Sequence, residues 1–287
     1  MIDSSLPIKL TECPRDAMQG LHDFVPTDIK ATYINLLLKC GFDTIDFGSF
    51  VSPKAIPQMQ DTAAVLDLLD MDSTQSKLLA IIANYRGAEE AASHRQVTYL
   101  GYPFSISETF QKRNTNSTIN QSFDLVKQMQ DLCLQKNKIL LVYLSMGFGN
   151  PYGDEWNADL VLKWAEKMAS ADIKHIALAD TVGAATPDQI REIYPVLTQT
   201  FREVDFGIHL HSTPDTWREK IDAAHLSGCR HFDTTIKGYG GCPMAKDDLT
   251  GNIATENVLA YLKEQGIATG VDMARFNEAM VYSGRIF

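Results

Sequence analysis

Short apolar runs rich in β-branched residues recur along the chain, and between them lie longer stretches whose apolar positions return every three or four residues. The first pattern predicts buried strands, the second amphipathic helices laid over them. Strands are expected near residues 8–13, 44–48, 78–83, 97–102, 139–144, 175–179, 207–211 and 231–236. Helical patterns fill the intervals, among them 28–40, 121–136, 155–171, 187–201 and 216–226. Local signals agree with the pattern. Ser117 precedes an amphipathic run, and Thr186-Pro187 and Thr213-Pro214 each read as an N-cap followed by a proline at the first helical position. Gly41 and Gly228 follow helix-like stretches, where a left-handed residue ends the helix.

Strand followed by helix, about eight times in roughly 250 residues, is the period of a TIM (β/α)8 barrel. The alternative, a doubly wound open sheet, calls for a glycine-rich phosphate turn after an early strand, and the sequence has none. No linker-like or low-complexity tract divides the chain. One barrel domain over 1–287 is therefore expected, with 252–265 closing it and 272–284 as an extra C-terminal helix outside.

The barrel reading gathers scattered polar residues into one place, because active sites of such barrels sit at the C-terminal ends of the strands. Arg15 and Asp16, Asp46, Asn84, Ser145, Asp180, His209, His211 and Lys237 all fall at or just beyond expected strand ends. His209 and His211 are separated by one residue, so on a strand both imidazoles face the same side as a pair of donors for a divalent metal. The plainer reading is two histidines that hydrogen-bond to their neighbours. Asp16 adds a carboxylate, and two imidazoles with one carboxylate suit a catalytic Mg, Mn or Zn ion that keeps positions open for substrate. Arg15 beside it is a fixed cation for a developing enolate or a carboxylate. Asp46 and Asp180 follow apolar runs and either orient these groups or accept protons; Asp180 also fits as a cap for the following turn. The segment Gly238-Tyr-Gly-Gly-Cys-Pro243 surrounds the Cys242 thiol with turn-formers, as a loop closing over substrate would. Asn252 offers an amide oxygen to the metal or an N-cap to a helix.

Composition narrows the classes. A 45% hydrophobic chain of 287 residues can bury a large core. A formal net charge of −10 with no basic run excludes nucleic acid as the expected partner. Five widely spread cysteines without CxxC spacing predict free thiols in a reducing compartment, and all but Cys242 sit in apolar runs. No signal peptide or membrane span is read, so the expected setting is cytoplasmic.

The motifs resemble those of a known family. Glu12-Cys-Pro-Arg15-Asp16-Ala-Met-Gln19 is similar to the opening of the barrel metallolyases that include 3-hydroxy-3-methylglutaryl-CoA lyase and the isopropylmalate and homocitrate synthases. The stretch from Ser49 to Met59, the run Ser107 to Asn116, Asp180-Thr-Val-Gly183 and Gly240-Gly241-Cys242-Pro243 with Gly251-Asn252 resemble the CoA lyases in particular. The resemblance spans about residues 9–269 and implies a retro-Claisen cleavage of 3-hydroxy-3-methylglutaryl-CoA, as in leucine degradation, to acetyl-CoA and acetoacetate. It implies that Asp16, His209, His211 and Asn252 hold the cation, that Arg15 and Cys242 serve the chemistry, and that Asp46, Asp180 and Glu256 are acidic site positions. Lys112, Arg113 and Asn114 are the expected CoA contacts, and a homodimer is the expected assembly. Two departures bear on substrate choice: Ser212 stands where the family usually has aspartate, and Asp46 where the lyase usually has glutamate. The alternatives are a Claisen-type synthase of the same superfamily and a barrel without catalysis.

Overall fold

In the computed structural model, which describes residues 7–241 and 250–287, the apolar runs pair side by side in chain order. The strands are β1 (Lys9–Glu12), β2 (Thr44–Ser49), β3 (Lys77–Ile81), β4 (Val97–Ser105), β5 (Ile139–Ser145), β6 (His175–Ala179), β7 (Asp205–His209), β8 (His211–Ser212), β9 (His231–Thr234) and β10 (Gly251–Asn252). β1 to β7 and β9 form a closed parallel barrel, with β9 returning to pair with β1 through Leu10↔Phe232 and Thr11↔Asp233. β8 and β10 are a separate antiparallel pair that sets Asn252 opposite His211. The helices are α1 (Pro14–Met18), α2 (Thr27–Leu38), α3 (Thr62–Leu66), α4 (Tyr85–Ser93), α5 (Glu108–Thr115), α6 (Ile119–Lys136), α7 (Ala158–Ser170), α8 (Pro187–Thr200), α9 (Trp217–Leu226), α10 (Thr255–Glu264) and α11 (Met273–Ser283). The arrangement is the expected TIM barrel, and α11 is the extra C-terminal helix, packed on α2. No helix among the described residues is long and apolar enough to cross a membrane.

Alternation along each strand splits the core into two layers. Leu10, Ile45, Leu78, Leu100, Val142, Ile176, Ile208 and Phe232 face outward and pack under the helices. The inward set from β3 to β6 is a small apolar cluster of Leu79, Ile81, Tyr99, Leu141, Tyr143, Ala177 and Ala179. By the same alternation β1, β2, β7 and β9 turn Thr11, Asp46, His209 and Asp233 inward. Gly101 on β4 shows how full the apolar side is: a Cβ there would lie 2.6 Å from Ile81 Cδ1 and 3.2 Å from the Tyr143 ring.

Several boundaries differ from the sequence reading, each for a local reason. The strand expected over 207–211 breaks at Leu210, where the chain leaves the barrel to pair with β10. Thr213-Pro214 does not open α9; Thr216 is at its N-cap, and its hydroxyl accepts from the Thr213 N–H at 3.0 Å, turning Pro214 into part of a preceding turn. Asn252 does not cap α10, whose N-cap is Ala254; it belongs to β10. Asp46 lies within β2 rather than at its end. Thr186 and Gln189 form the capping box of α8 with Pro187 in its first turn, as the sequence suggests.

Candidate metal centre

β1 runs into α1 with only Cys13 between, and Pro14 opens the helix, so Arg15 and Asp16 occupy its first turn at the barrel mouth. Both are 8% exposed. The Arg15 guanidinium grips Asp46: Nε donates to Oδ1 at 3.2 Å and Oδ2 at 3.0 Å, and Nη2 donates to Oδ2 at 2.5 Å. Nη1 donates to Asp16 Oδ1 at 2.9 Å and to Gln19 Oε1 at 3.0 Å. Five N–H groups against these partners leave one Nη2 N–H without a protein acceptor among the described residues. Burial opposes the charge on Arg15, but Asp46 and Asp16 outweigh it and raise its pKa. For Asp46 burial prevails over the attraction of Arg15, and its pKa rises to about 6. For Asp16 burial is outweighed by Arg15, His209 and His211, and its pKa falls to about 2, so it is a carboxylate at neutral pH.

His209 ends β7 and His211 begins β8, yet the break between them brings the rings together: Nε2 to Nε2 is 3.2 Å. One ligand atom from each of Asp16, His209 and His211 lies within 4.8 Å of the others. The other ring nitrogen of His209, Nδ1, is 3.2 Å from Asp233 Oδ2 on β9, and Tyr143 packs edge-on to the ring. Burial works against a charged His209, but the hydrogen bond and charge of Asp233 override it and raise its pKa. Burial and the neighbouring His209 push His211 down to about 4, which keeps it neutral at physiological pH. With Nδ1–H directed at Asp233, the His209 Nε2 presents a lone pair. The two Nε2 atoms lie within hydrogen-bond distance of each other beside the Asp16 carboxylate, and a divalent cation in place of a shared proton would meet two imidazole nitrogens and one carboxylate oxygen. The donor set therefore fits a metal.

Asn252 completes the wall. Its Nδ2 donates to Asp16 Oδ2 at 2.7 Å and to the Tyr239 carbonyl at 3.0 Å. The sequence expectation is an amide oxygen offered to the metal; here it is the amide nitrogen that faces Asp16. Gly240, at φ +83, passes so close that a Cβ would lie 2.6 Å from the Asp16 carbonyl oxygen.

Other expected residues sit elsewhere. Asp180 is 1% exposed, and both carboxylate oxygens are taken, Oδ1 by the Ala185 N–H at 3.0 Å and Oδ2 by Lys220 Nζ at 2.9 Å. Glu256, in the first turn of α10, accepts from the Lys237 N–H at 3.0 Å and is not among the grouped metal donors. Asn84 caps α4 by accepting from the Gly87 N–H at 2.9 Å. Lys112, Arg113 and Asn114 are exposed on α5; Lys112 pairs with Glu108 at 3.1 Å, and Arg113 lies over the Tyr152 ring at 4.7 Å. Cys242 lies outside the described residues. The other four thiols are buried; burial pushes Cys40, Cys133 and Cys229 up to about 12 and Cys13 well above its usual range.

Three further residues bear on the site without a strong signal in the sequence. Asp233 was legible as an inward position of a polar strand. Lys220 was hidden on an amphipathic helix, where lysine ordinarily faces solvent. Glu12, fully buried, accepts from the Ile236 N–H at 2.8 Å and the Thr255 hydroxyl at 2.5 Å, and burial lifts its pKa to about 8.

A family model described as HMGL-like matches residues 8–281. The hydroxymethylglutaryl-CoA lyase YngG of Bacillus subtilis is 31% identical, with 93% of this chain and 88% of that protein covered. The cytoplasmic 3-hydroxy-3-methylglutaryl-CoA lyase of Danio rerio is 33% identical over 95% of this chain and 81% of its own. Among solved structures, an HMG-CoA lyase from Acenitobacter baumannii in complex with coenzyme A and 3-methylmalate superposes with a TM-score of 0.90 at 30% identity, covering 98% of this chain and 91% of that one.

Proposed function

This chain belongs to the HMGL-like family, and from that premise we propose that it is a carbon–carbon lyase that cleaves 3-hydroxy-3-methylglutaryl-CoA to acetyl-CoA and acetoacetate. The observation that carries the reading is the convergence of Asp16, His209 and His211 beside a buried arginine with one N–H to spare. Asp16, His209 and His211, with Asn252 adjoining, would hold a divalent cation, which when bound would supply Lewis acidity toward a substrate hydroxyl. Magnesium or manganese suits this oxygen-and-imidazole set, with zinc as the alternative.

The chain's own residues then divide the work. When the hydroxyl proton leaves, the C2–C3 bond breaks, the C3 oxygen becomes the ketone of acetoacetate, and the bonding pair becomes the enolate of acetyl-CoA. Arg15, clamped by Asp46, Asp16 and Gln19, presents a permanent positive charge to that enolate oxygen without having to reorganise. Asp46, both of whose oxygens accept from Arg15, holds the guanidinium in that position. Cys242, two positions along the chain from Gly240, is the proposed proton donor to the enolate carbon. Glu256 serves from the first turn of α10, and Asp180 serves by orientation, since its oxygens are occupied. Lys112, Arg113 and Asn114 are proposed to meet the CoA phosphates and Ser212 to adjust acyl selection. Residues 1–287 are proposed to form one catalytic domain that works as a cytoplasmic homodimer in leucine breakdown.

Acetoacetate release from 3-hydroxy-3-methylglutaryl-CoA by EDTA-stripped protein tests the reading. Release restored by Mg²⁺ or Mn²⁺ is the expected result. No release by protein that still takes up metal would assign the site to another acyl-CoA.

A further inference from the structure

Lys220 has no role in the chemistry above, yet it is 4% exposed on α9 with its ammonium deep in the fold. Its three N–H donors meet three acceptors from three parts of the chain: Asp180 Oδ2 after β6 at 2.9 Å, the Gly183 carbonyl in the turn before α8 at 3.1 Å, and the His211 carbonyl on β8 at 2.7 Å. Asp180 in turn donates its backbone N–H to the His209 carbonyl at 2.8 Å. The two residues of one buried ion pair thus hold the backbone carbonyls of both histidines, Asp180 by its main-chain N–H and Lys220 by its ammonium, on either side of the break at Leu210.

That break creates the need. A continuous strand fixes the direction of successive side chains through its ladder, but here β7 stops at His209 and β8 starts at His211. The direction of the His211 ring then depends on what holds its peptide. β10 pairs with β8 on one side, and Lys220 takes the His211 carbonyl. Nothing holds the ring from beyond, because His211 Nδ1 is buried without a partner.

We propose that Lys220 is a positioning residue of the metal centre, acting with Asp180 to set the backbone that aims His209 and His211 at the cation. The inference rests on the metal reading above but not on the identity of the substrate. Its test is a titration of the metal-free full-length protein with Mn²⁺ followed by electron paramagnetic resonance, alongside its melting temperature. Lys220→Met weakens Mn²⁺ binding by about 10- to 100-fold, the loss typical of removing an outer partner of a ligand. Because that variant strands a buried carboxylate, the paired variant Asp180→Asn/Lys220→Met decides the matter. It removes the stranded charge and melts close to the unmodified protein, yet it still binds Mn²⁺ weakly because the His211 carbonyl lacks its donor. A paired variant with unchanged Mn²⁺ affinity overturns the proposal and leaves Lys220 a stabilising residue only. An unmodified protein that fails to bind Mn²⁺ overturns the metal reading and this proposal together. The readout uses no substrate, so failure of the lyase reading does not enter it.

Discussion

The two walls of the barrel interior obey one rule and have opposite chemistry. From β3 to β6 the inward positions are Leu79, Ile81, Tyr99, Leu141, Tyr143, Ala177 and Ala179. Across from them, β7, β9, β1 and β2 turn in His209, Asp233, Thr11 and Asp46. Alternation decides which residues enter; residue type decides what they do there. The apolar wall keeps water out and lowers the local dielectric, and for the polar wall that is the largest influence on charge. It raises Asp46 to about 6 and lowers His211 to about 4, while Asp16, supplied with a cation and two imidazoles, goes the other way to about 2. Each wall explains a property of the other.

Substitutions should separate the walls. The largest effects fall on the polar one. Arg15→Met should lower kcat by about 10²–10³-fold, the loss typical of removing one donor to a developing oxyanion. Metal content should stay unchanged, whereas His209→Ala should lose metal and activity together; elemental analysis beside the acetoacetate assay reads both, and equal metal in the two variants sinks the ligand assignment. On the apolar wall, Leu79→Ala should cost about 2–5 kcal/mol of stability in urea unfolding and spare the metal affinity of the folded protein. A large loss of Mn²⁺ affinity there would mean that the walls are not separable. Asp233→Asn is smaller: metal affinity should fall by about 10–100-fold because His209 loses the carboxylate that fixes its tautomer. Calorimetric titration with Mn²⁺ checks it.

The smallest effect concerns a carboxylate behind the polar wall. Burial lifts Glu12 to about 8, so the fold prefers its neutral form. Its contribution is intact below the ordinary glutamate value of 4.5 and is lost as pH rises toward about 8. Glu12→Gln should therefore flatten the fall in melting temperature across that interval; an unaltered slope would place the titration elsewhere.

The barrel was legible because its strands are short, nearly continuous apolar runs flanked by helical stretches, a signal spread over many residues. Asp16, His209, His211 and Arg15 were legible because barrel topology collects strand ends at one mouth. What escaped depends on single tertiary contacts. Lys220 reads as a surface lysine until Asp180, 40 positions earlier, is found beneath it. The break at Leu210 is invisible in a run that suits a strand throughout, because its cause is pairing with Gly251 and Asn252. Thr213-Pro214 carries a sound helix-start signal that the Thr216 hydroxyl overrides three residues later.

The β8–β10 ladder has a consequence in time. Asp16 is synthesised early, His209 and His211 nearly three-quarters of the way along, and Asn252, whose amide reaches back across 236 positions to Asp16, later still. A chain emerging from the ribosome offers a cation first a solitary carboxylate, then two histidines with no β10 beside them. The pocket of donors comes together only when the last barrel strand has found the first. A cation held by these donors would therefore meet its full set only once the barrel has closed.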